Sequence, residues 1–274
     1  MATAVQRPVA RVQLGVLASL LGLAALAWLL TDARMVGMDA GPGTDPGALG
    51  FYVLSWVVMM SAMMFPSIAP MVLTFGFLQR RRSDRATVDH AVSSGVFVAG
   101  YLLTWTAFGL LAYGLYVGVR SLSIPELSWN RGGRYLAGGV ILAAAIYQVT
   151  PMKDACLGRC RAPLDFVLTN WRDGLSGALR MGIVHGAWCV GCCSALMAAL
   201  FALGVMSLTW MVVVAGLIAV EKLLPWRDLA NRLVALTLVA LALGVSLAPR
   251  DVPGLTVPGS PSAAKSMPGM SESP

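Results

Sequence analysis

The sequence predicts an all-α fold, a polytopic bundle of about seven membrane-spanning helices with a cytoplasmic N-terminus, and three observations predict it. Hydrophobic residues make up 57% of the 274 and charged residues only 12%, with a mean hydropathy of +0.74, too few charges to cover a water-soluble domain. The apolar residues are gathered into long runs, and one crossing helix needs about 20 of them. The basic residues fall between the runs, so the net charge of +7 is read as a topology signal and not as a nucleic-acid footprint.

The first run, 12–30, follows Arg7 and Arg11. It is longer than a signal-peptide core and no A-x-A-type cleavage site follows it, so it reads as an uncleaved first helix. Further spans are expected over 50–77, 91–119, 135–150, 178–204, 207–224 and 229–248. With the N-terminus inside, the cytoplasmic segments hold Arg7 and Arg11; Arg80, Arg81, Arg82 and Arg85; Lys153, Arg159, Arg161, Arg172 and Arg180; and Lys222, Arg227 and Arg232. These are 14 of the 20 Lys and Arg residues, as the positive-inside rule requires. The span 135–150, at about 16 residues, lies near the lower limit for crossing. Residues 249–274, rich in Pro, Ser and Gly, read as a disordered external tail. Two Gly-x-x-x-Gly pairs, Gly114 with Gly118 and Gly182 with Gly186, mark faces where helices can approach closely.

The strongest local signal is His185-Gly-Ala-Trp-Cys189-Val-Gly-Cys192-Cys193 inside the fifth span. At about 100° per residue, Cys189 is rotated roughly 40° from His185 and Cys192 roughly 20° the other way, with Met181 one turn earlier. Cys193 falls about 80° off this stripe, at a second interface or as a spare thiol. Cys189 lies roughly 13 Å along the helix from Arg180, near mid-bilayer, where a polar His is costly and points to function. The plain alternative is one interhelical hydrogen bond from His185 with the thiols packed as small apolar groups.

The second span carries Met59, Met60, Met63, Met64 and Met71 as two thioether rows, interrupted by Pro66 and Pro70. Thioethers are soft donors that select Cu(I) and need no deprotonation, although Met also fills core gaps without any ligand role. A second thiol pair, Cys156 and Cys160, lies in a basic segment whose Lys153, Arg159 and Arg161 favour thiolates. Glu221 and Lys222 read as an interfacial ion pair, and His90 beside Asp89 as solvated. Met35, Met38 and Asp39 outside, with Met267 and Met270 in the tail, are weaker Cu(I) candidates. With no Walker motif, no H-E-x-x-H and no Ser/His/Asp set, no catalytic constellation is read from the chain.

Three blocks carry a family resemblance: Met59-Met-Ser-Ala-Met-Met-Phe-Pro-Ser67 with Pro70-Met71; Tyr147-Gln-Val-Thr-Pro-Met-Lys153 leading to Cys156, Cys160, Arg161 and Pro163; and Gly182-Ile-Val-His-Gly-Ala-Trp-Cys-Val-Gly-Cys-Cys193 through Leu196-Met197. Over about residues 55–225 the chain resembles a bacterial family of uncharacterised, predicted metal-binding integral membrane proteins. The resemblance implies a multi-pass protein of the bacterial inner (plasma) membrane whose three blocks converge. In that family a His often precedes the second cysteine of the cytoplasmic pair, where this chain has Arg159.

The resulting expectation is that the second and fifth spans pack together and hold a Cu(I)-like ion between Met60, Met64, His185, Cys189 and Cys192. Cys193, Met181, Cys156 and Cys160 are the further candidate ligands. The lipid bilayer surrounds the protein, a metal donor or acceptor protein is its partner, and no nucleic acid is involved. A +1 ion with one thiolate, a neutral His and a thioether sums to zero charge, as hydrocarbon surroundings demand. The alternatives are a membrane thiol oxidoreductase cycling Cys189 and Cys192 and a structural subunit whose glycine faces pack against another membrane protein.

Overall fold

The structure is a computed structural model that describes residues 2–35, 37–39, 41–82 and 87–260, apart from the side chains of residues 2–12 and 87–89. Among the described residues it is all-α, with helices α1 (Ala2–Met35), α2 (Leu49–Arg82), α3 (Thr87–Ser121), α4 (Arg134–Gln148), α5 (Pro151–Arg161), α6 (Pro163–Thr169), α7 (Gly174–Leu203), α8 (Leu208–Leu223) and α9 (Arg227–Leu247). Helix starts and stops follow local chemistry. Pro151 and Pro163 open α5 and α6, where a missing N–H costs nothing, and the Thr150 hydroxyl accepts from the Lys153 N–H to cap α5. Gly204, at φ 120°, ends α7 in a backbone region closed to most side chains. Pro66 and Pro70 lie inside α2 without ending it; nearby, the Ser67 and Thr74 hydroxyls donate back to the Met64 and Pro70 carbonyls.

Among the described residues, five helical stretches are long and apolar enough to cross a membrane: Gln13–Met35, Leu49–Arg82, His90–Ser121, Gly174–Leu203 and Arg227–Leu247. The other two expected spans take a different form. The run 135–150 is α4, of 15 residues, and the chain then turns by 67° into α5. The run 207–224 is α8, whose 16 residues extend about 24 Å. Each alone is short against a hydrocarbon core of about 30 Å, but the stretch Trp129–Gln148 together with α5 is long and apolar enough to form one broken span or a re-entrant loop.

Helices α2 and α7 are the interior ones, each 56% buried over its most apolar stretch against 22% for α1 and 28% for α3. The outside is apolar too, with Leu14, Leu29, Leu111, Leu115, Leu236 and Leu247 exposed. Helix α7 packs closely on α3, α4, α5 and α8, and α2 on α1, α3, α6 and α8. The second and fifth spans meet through long side chains, such as Trp56 stacked on Phe201 at 5.7 Å. Helix α3 runs antiparallel to α2, where Trp56 Nε1 donates to the Trp105 carbonyl and Tyr52 Oη to the Gly109 carbonyl.

The expected glycine faces divide. A Cβ on Gly182 would stand 2.0 Å from the Phe97 carbonyl oxygen and one on Gly186 2.8 Å from the Thr104 side chain, so these glycines let α7 touch the α3 backbone. Gly114 and Gly118 meet nothing within 4 Å and form no contact face here. Two more expectations change. His90 is buried at 4% exposure instead of solvated. The stretch 249–260, expected to begin a disordered tail, folds over the bundle: Val252 is buried and the Thr256 hydroxyl donates to Asp39. Met267 and Met270 lie outside the described residues, as do the side chains of Arg7, Arg11, Arg85 and Asp89.

Gly182→Ala should lower the thermal unfolding temperature measured in detergent by several degrees, the cost of forcing two backbones apart. Gly114→Ala and Gly118→Ala should leave it unchanged or raise it.

Candidate metal centre

Three thiols of α7 converge on the interior. The sulfurs of Cys189, Cys192 and Cys193 all lie within 4.8 Å of one another, with Cys192 and Cys193 3.3 Å apart. Exposures of 0%, 0% and 1% seal the three from solvent. A fourth sulfur arrives from α5, where Cys160 approaches Cys192 to 3.7 Å, and this residue is only half-buried. All five cysteines of the chain are free thiols.

Two polar groups hold Cys189. Tyr101 Oη of α3 lies 3.1 Å from its sulfur, and Lys222 Nζ of α8 donates to it at 3.0 Å. The same ammonium reaches Ser67 Oγ of α2 at 3.4 Å, so one lysine joins α2, α7 and α8. This corrects the expected Glu221–Lys222 interfacial pair. Successive helical side chains point about 100° apart, and Glu221 turns instead to Lys153, at 2.7 Å with side-chain exposures of 1% and 0%.

The other basic residues expected to serve the thiols are engaged elsewhere. Arg159 lies 4.1 Å over the Trp188 ring. Arg161 donates to the Glu221 carbonyl at 3.1 Å and also to the Leu224 carbonyl. These bonds and the Lys153–Glu221 pair tie α5 to the end of α8, placing Cys160 beside Cys192. Cys156 takes another direction, into the notch of Gly191, where an added Cβ would come 2.8 Å from its sulfur. The Tyr147 hydroxyl closes this side by donating to the Gly191 carbonyl at 2.6 Å.

His185 is 3% exposed and lies outside the thiol group. Its ring stands between Phe97, Tyr101 and Phe166, with centroids 6.1, 5.8 and 5.1 Å away, and its Nδ1 has no partner. Tyr101 connects the two environments, its ring facing His185 and its hydroxyl facing Cys189. Met60 and Met64 are 0% exposed in the same core as the thiols, and the Ser67 hydroxyl that donates to the Met64 carbonyl also receives Lys222. Met181, 1% exposed, borders a cleft with Arg172 and Arg180 one turn before His185.

Lys222 and Tyr101 are the residues that sequence reasoning did not assign to the site. The signal for Lys222 was present: an ionisable group adjoining an apolar helix calls for a named interior partner. Tyr101 carries no local signal, since its place depends on the register of α3 against α7.

Residues 53–245, which include every cysteine of the chain, match the family model described as PpoB2, a copper chaperone. No curated protein and no solved structure matches the chain.

Removing one member of the buried Lys153–Glu221 pair strands the other charge, at about 3–5 kcal/mol. Lys153→Met should show that loss in thermal unfolding in detergent, and Lys153→Met/Glu221→Leu should recover most of it.

Proposed function

The chain belongs to the PpoB2 copper-chaperone family, and on that footing we propose that it is an integral membrane protein that holds Cu(I) on Cys189, Cys192 and Cys193 and passes it through Cys160 to a partner protein. The observation that carries this reading is the sealed trio of sulfurs within 4.8 Å of one another, with an ammonium 3.0 Å from Cys189. Thiolates are soft ligands that favour Cu(I). Two thiolates, one Cu(I) and the Lys222 ammonium sum to zero charge, which removes the main cost of burying ions. Three thiolates would balance Zn²⁺ equally well, so the choice of copper rests on the family.

The membrane setting is supported by five helices long and apolar enough to cross and by an exposed surface of leucines that water would not favour. We read the basic segments as cytoplasmic by the positive-inside rule, with α5, α6 and the end of α8 on that side of a bacterial inner membrane. On that orientation the half-buried Cys160 and Lys222 form the mouth of the site, and the ion leaves or enters there. Thiol exchange suits this step, since Cys160 can bind before a sealed cysteine lets go. His185, Met60, Met64 and Met181 form the wall around the thiols in this reading, and Cys156 packs behind α7.

Anaerobically purified protein should carry Cu(I) in stoichiometric amount, and Cys189→Ser/Cys192→Ser should lose it from this site; retention of thiol-bound copper by that variant would reject the site. Because a thiol must ionise to bind the ion, binding should release protons and strengthen as pH rises. Lys222→Met should weaken binding by tenfold or more. Cys160→Ser should keep the affinity within a few-fold while slowing transfer to a Cu(I) chelator by about tenfold, read by stopped-flow absorbance.

A further inference from the structure

At the end of the bundle away from Cys160, three methionines from separate elements line one small cavity: Met35 at the end of α1, Met59 of α2 and Met206 in the turn between α7 and α8. Their exposures are 6%, 1% and 3%, and the cavity is about 10 Å³, room for one water-sized body. The remaining wall includes Tyr52, Trp56 and Ser55. The Tyr52 hydroxyl and the Trp56 indole N–H are already committed to the Gly109 and Trp105 carbonyls, which leaves their rings to the cavity. Ser55 Oγ is buried without a partner.

This lining suits neither water nor a hard cation. A buried water needs two to four polar partners, and only Ser55 offers one. Calcium or magnesium needs about six oxygens. Three neutral sulfurs beside aromatic faces suit a soft monovalent cation, which thioethers bind without releasing protons and ring faces attract electrostatically.

The cavity is also placed in register with the thiol cluster. Trp56 meets Phe201 at one level, and Ser67 meets Cys189 through Lys222 at the other. The separation is about 16 Å along α2 and about 18 Å along α7, two independent measures that agree. Buried Met60, Met63 and Met64 occupy the α2 interior between them.

From this we infer that Met35, Met59 and Met206, with Ser55, form a second soft-cation site that holds Cu(I) by thioether sulfur at the opposite end of the bundle from the thiol site. The inference rests on the copper reading for the identity of the ion, and the two sites can fail separately. Titration of the full chain in detergent with ascorbate-maintained Cu(I) should give two ions per chain. Met35→Leu/Met59→Leu/Met206→Leu, which conserves volume, should hold one ion with pH-dependent affinity. Cys189→Ser/Cys192→Ser/Cys193→Ser should hold one ion with affinity unchanged between about pH 5 and about pH 7.5, a range below the ordinary thiol pKa of about 8.5 in which a thiol site must release protons to bind. Two ions in the methionine variant, or none in the cysteine variant, would overturn the second site. One ion in the parent that survives the cysteine changes and disappears with the methionine changes would support it and sink the thiol site instead. A measurement free of methionine substitutions uses methyl-¹³C methionine in the cysteine variant: Ag(I) should shift the Met35, Met59 and Met206 methyl signals first, and unmoved signals from those three would refute the proposal.

Discussion

The contact between the Lys222 ammonium and the Cys189 sulfur, 3.0 Å apart, is the constraint around which the interior is arranged. An ammonium cannot sit inside an apolar bundle without a countercharge or a set of acceptors. Glu221, its neighbour in sequence, is directed elsewhere and satisfied by Lys153. What faces Lys222 is sulfur and hydroxyl: Cys189 and Ser67. On the proposed copper reading, the ammonium offsets thiolate charge at Cys189, and a second thiolate is balanced by the charge of Cu(I). The lysine thus makes an anionic sulfur site compatible with its surroundings and, through Ser67, ties α2 to it.

The convergence depends on a break in the chain. If α4 ran on as one straight span, α5 would project away from the bundle. The 67° turn at Val149 and Thr150, set by Pro151 and the Thr150 cap, swings α5 back under α7. Arg161 then grips the end of α8, with bonds to the Glu221 and Leu224 carbonyls, and the Lys153–Glu221 pair adds a buried charge contact. The result is a site assembled from α3, α5, α7 and α8, three of whose cysteines are sealed while the fourth stands at the mouth. That gradient of exposure suits holding an ion tightly while leaving one ligand for exchange.

Much of this was legible in the sequence. Composition and the apolar runs predict the all-α architecture, and the close approach at Gly182 and Gly186 follows from spacing. The stripe on α7 also follows from angular counting, and which residues share it depends on where the count is centred. Centred on His185, the count leaves Cys193 off the stripe; centred on Cys189, Cys192 and Cys193 flank it at about 60° and 40°, the arrangement in which the three sulfurs lie within 4.8 Å of one another. Nothing in α7 alone reveals which residue is central, because Tyr101 and Lys222 decide it from other helices. The same reason hides the separate placements of Cys160 and Cys156, since a four-residue spacing does not say where each side of α5 will land. Gly114 and Gly118 show the converse: a motif present in sequence with nothing opposite it in space. His90 was misread because local charge density says nothing about what packs over it.

The central claim is that sulfur alone, balanced by Lys222, holds the copper at the thiol site. X-ray absorption at the copper edge, on protein carrying Met35→Leu/Met59→Leu/Met206→Leu and loaded with one Cu(I), addresses it directly. A first shell of thiolate sulfur with no imidazole scattering, unchanged in His185→Ala, is the expected result. An imidazole signature that His185→Ala removes, or a shell of oxygen and nitrogen donors, would contradict it.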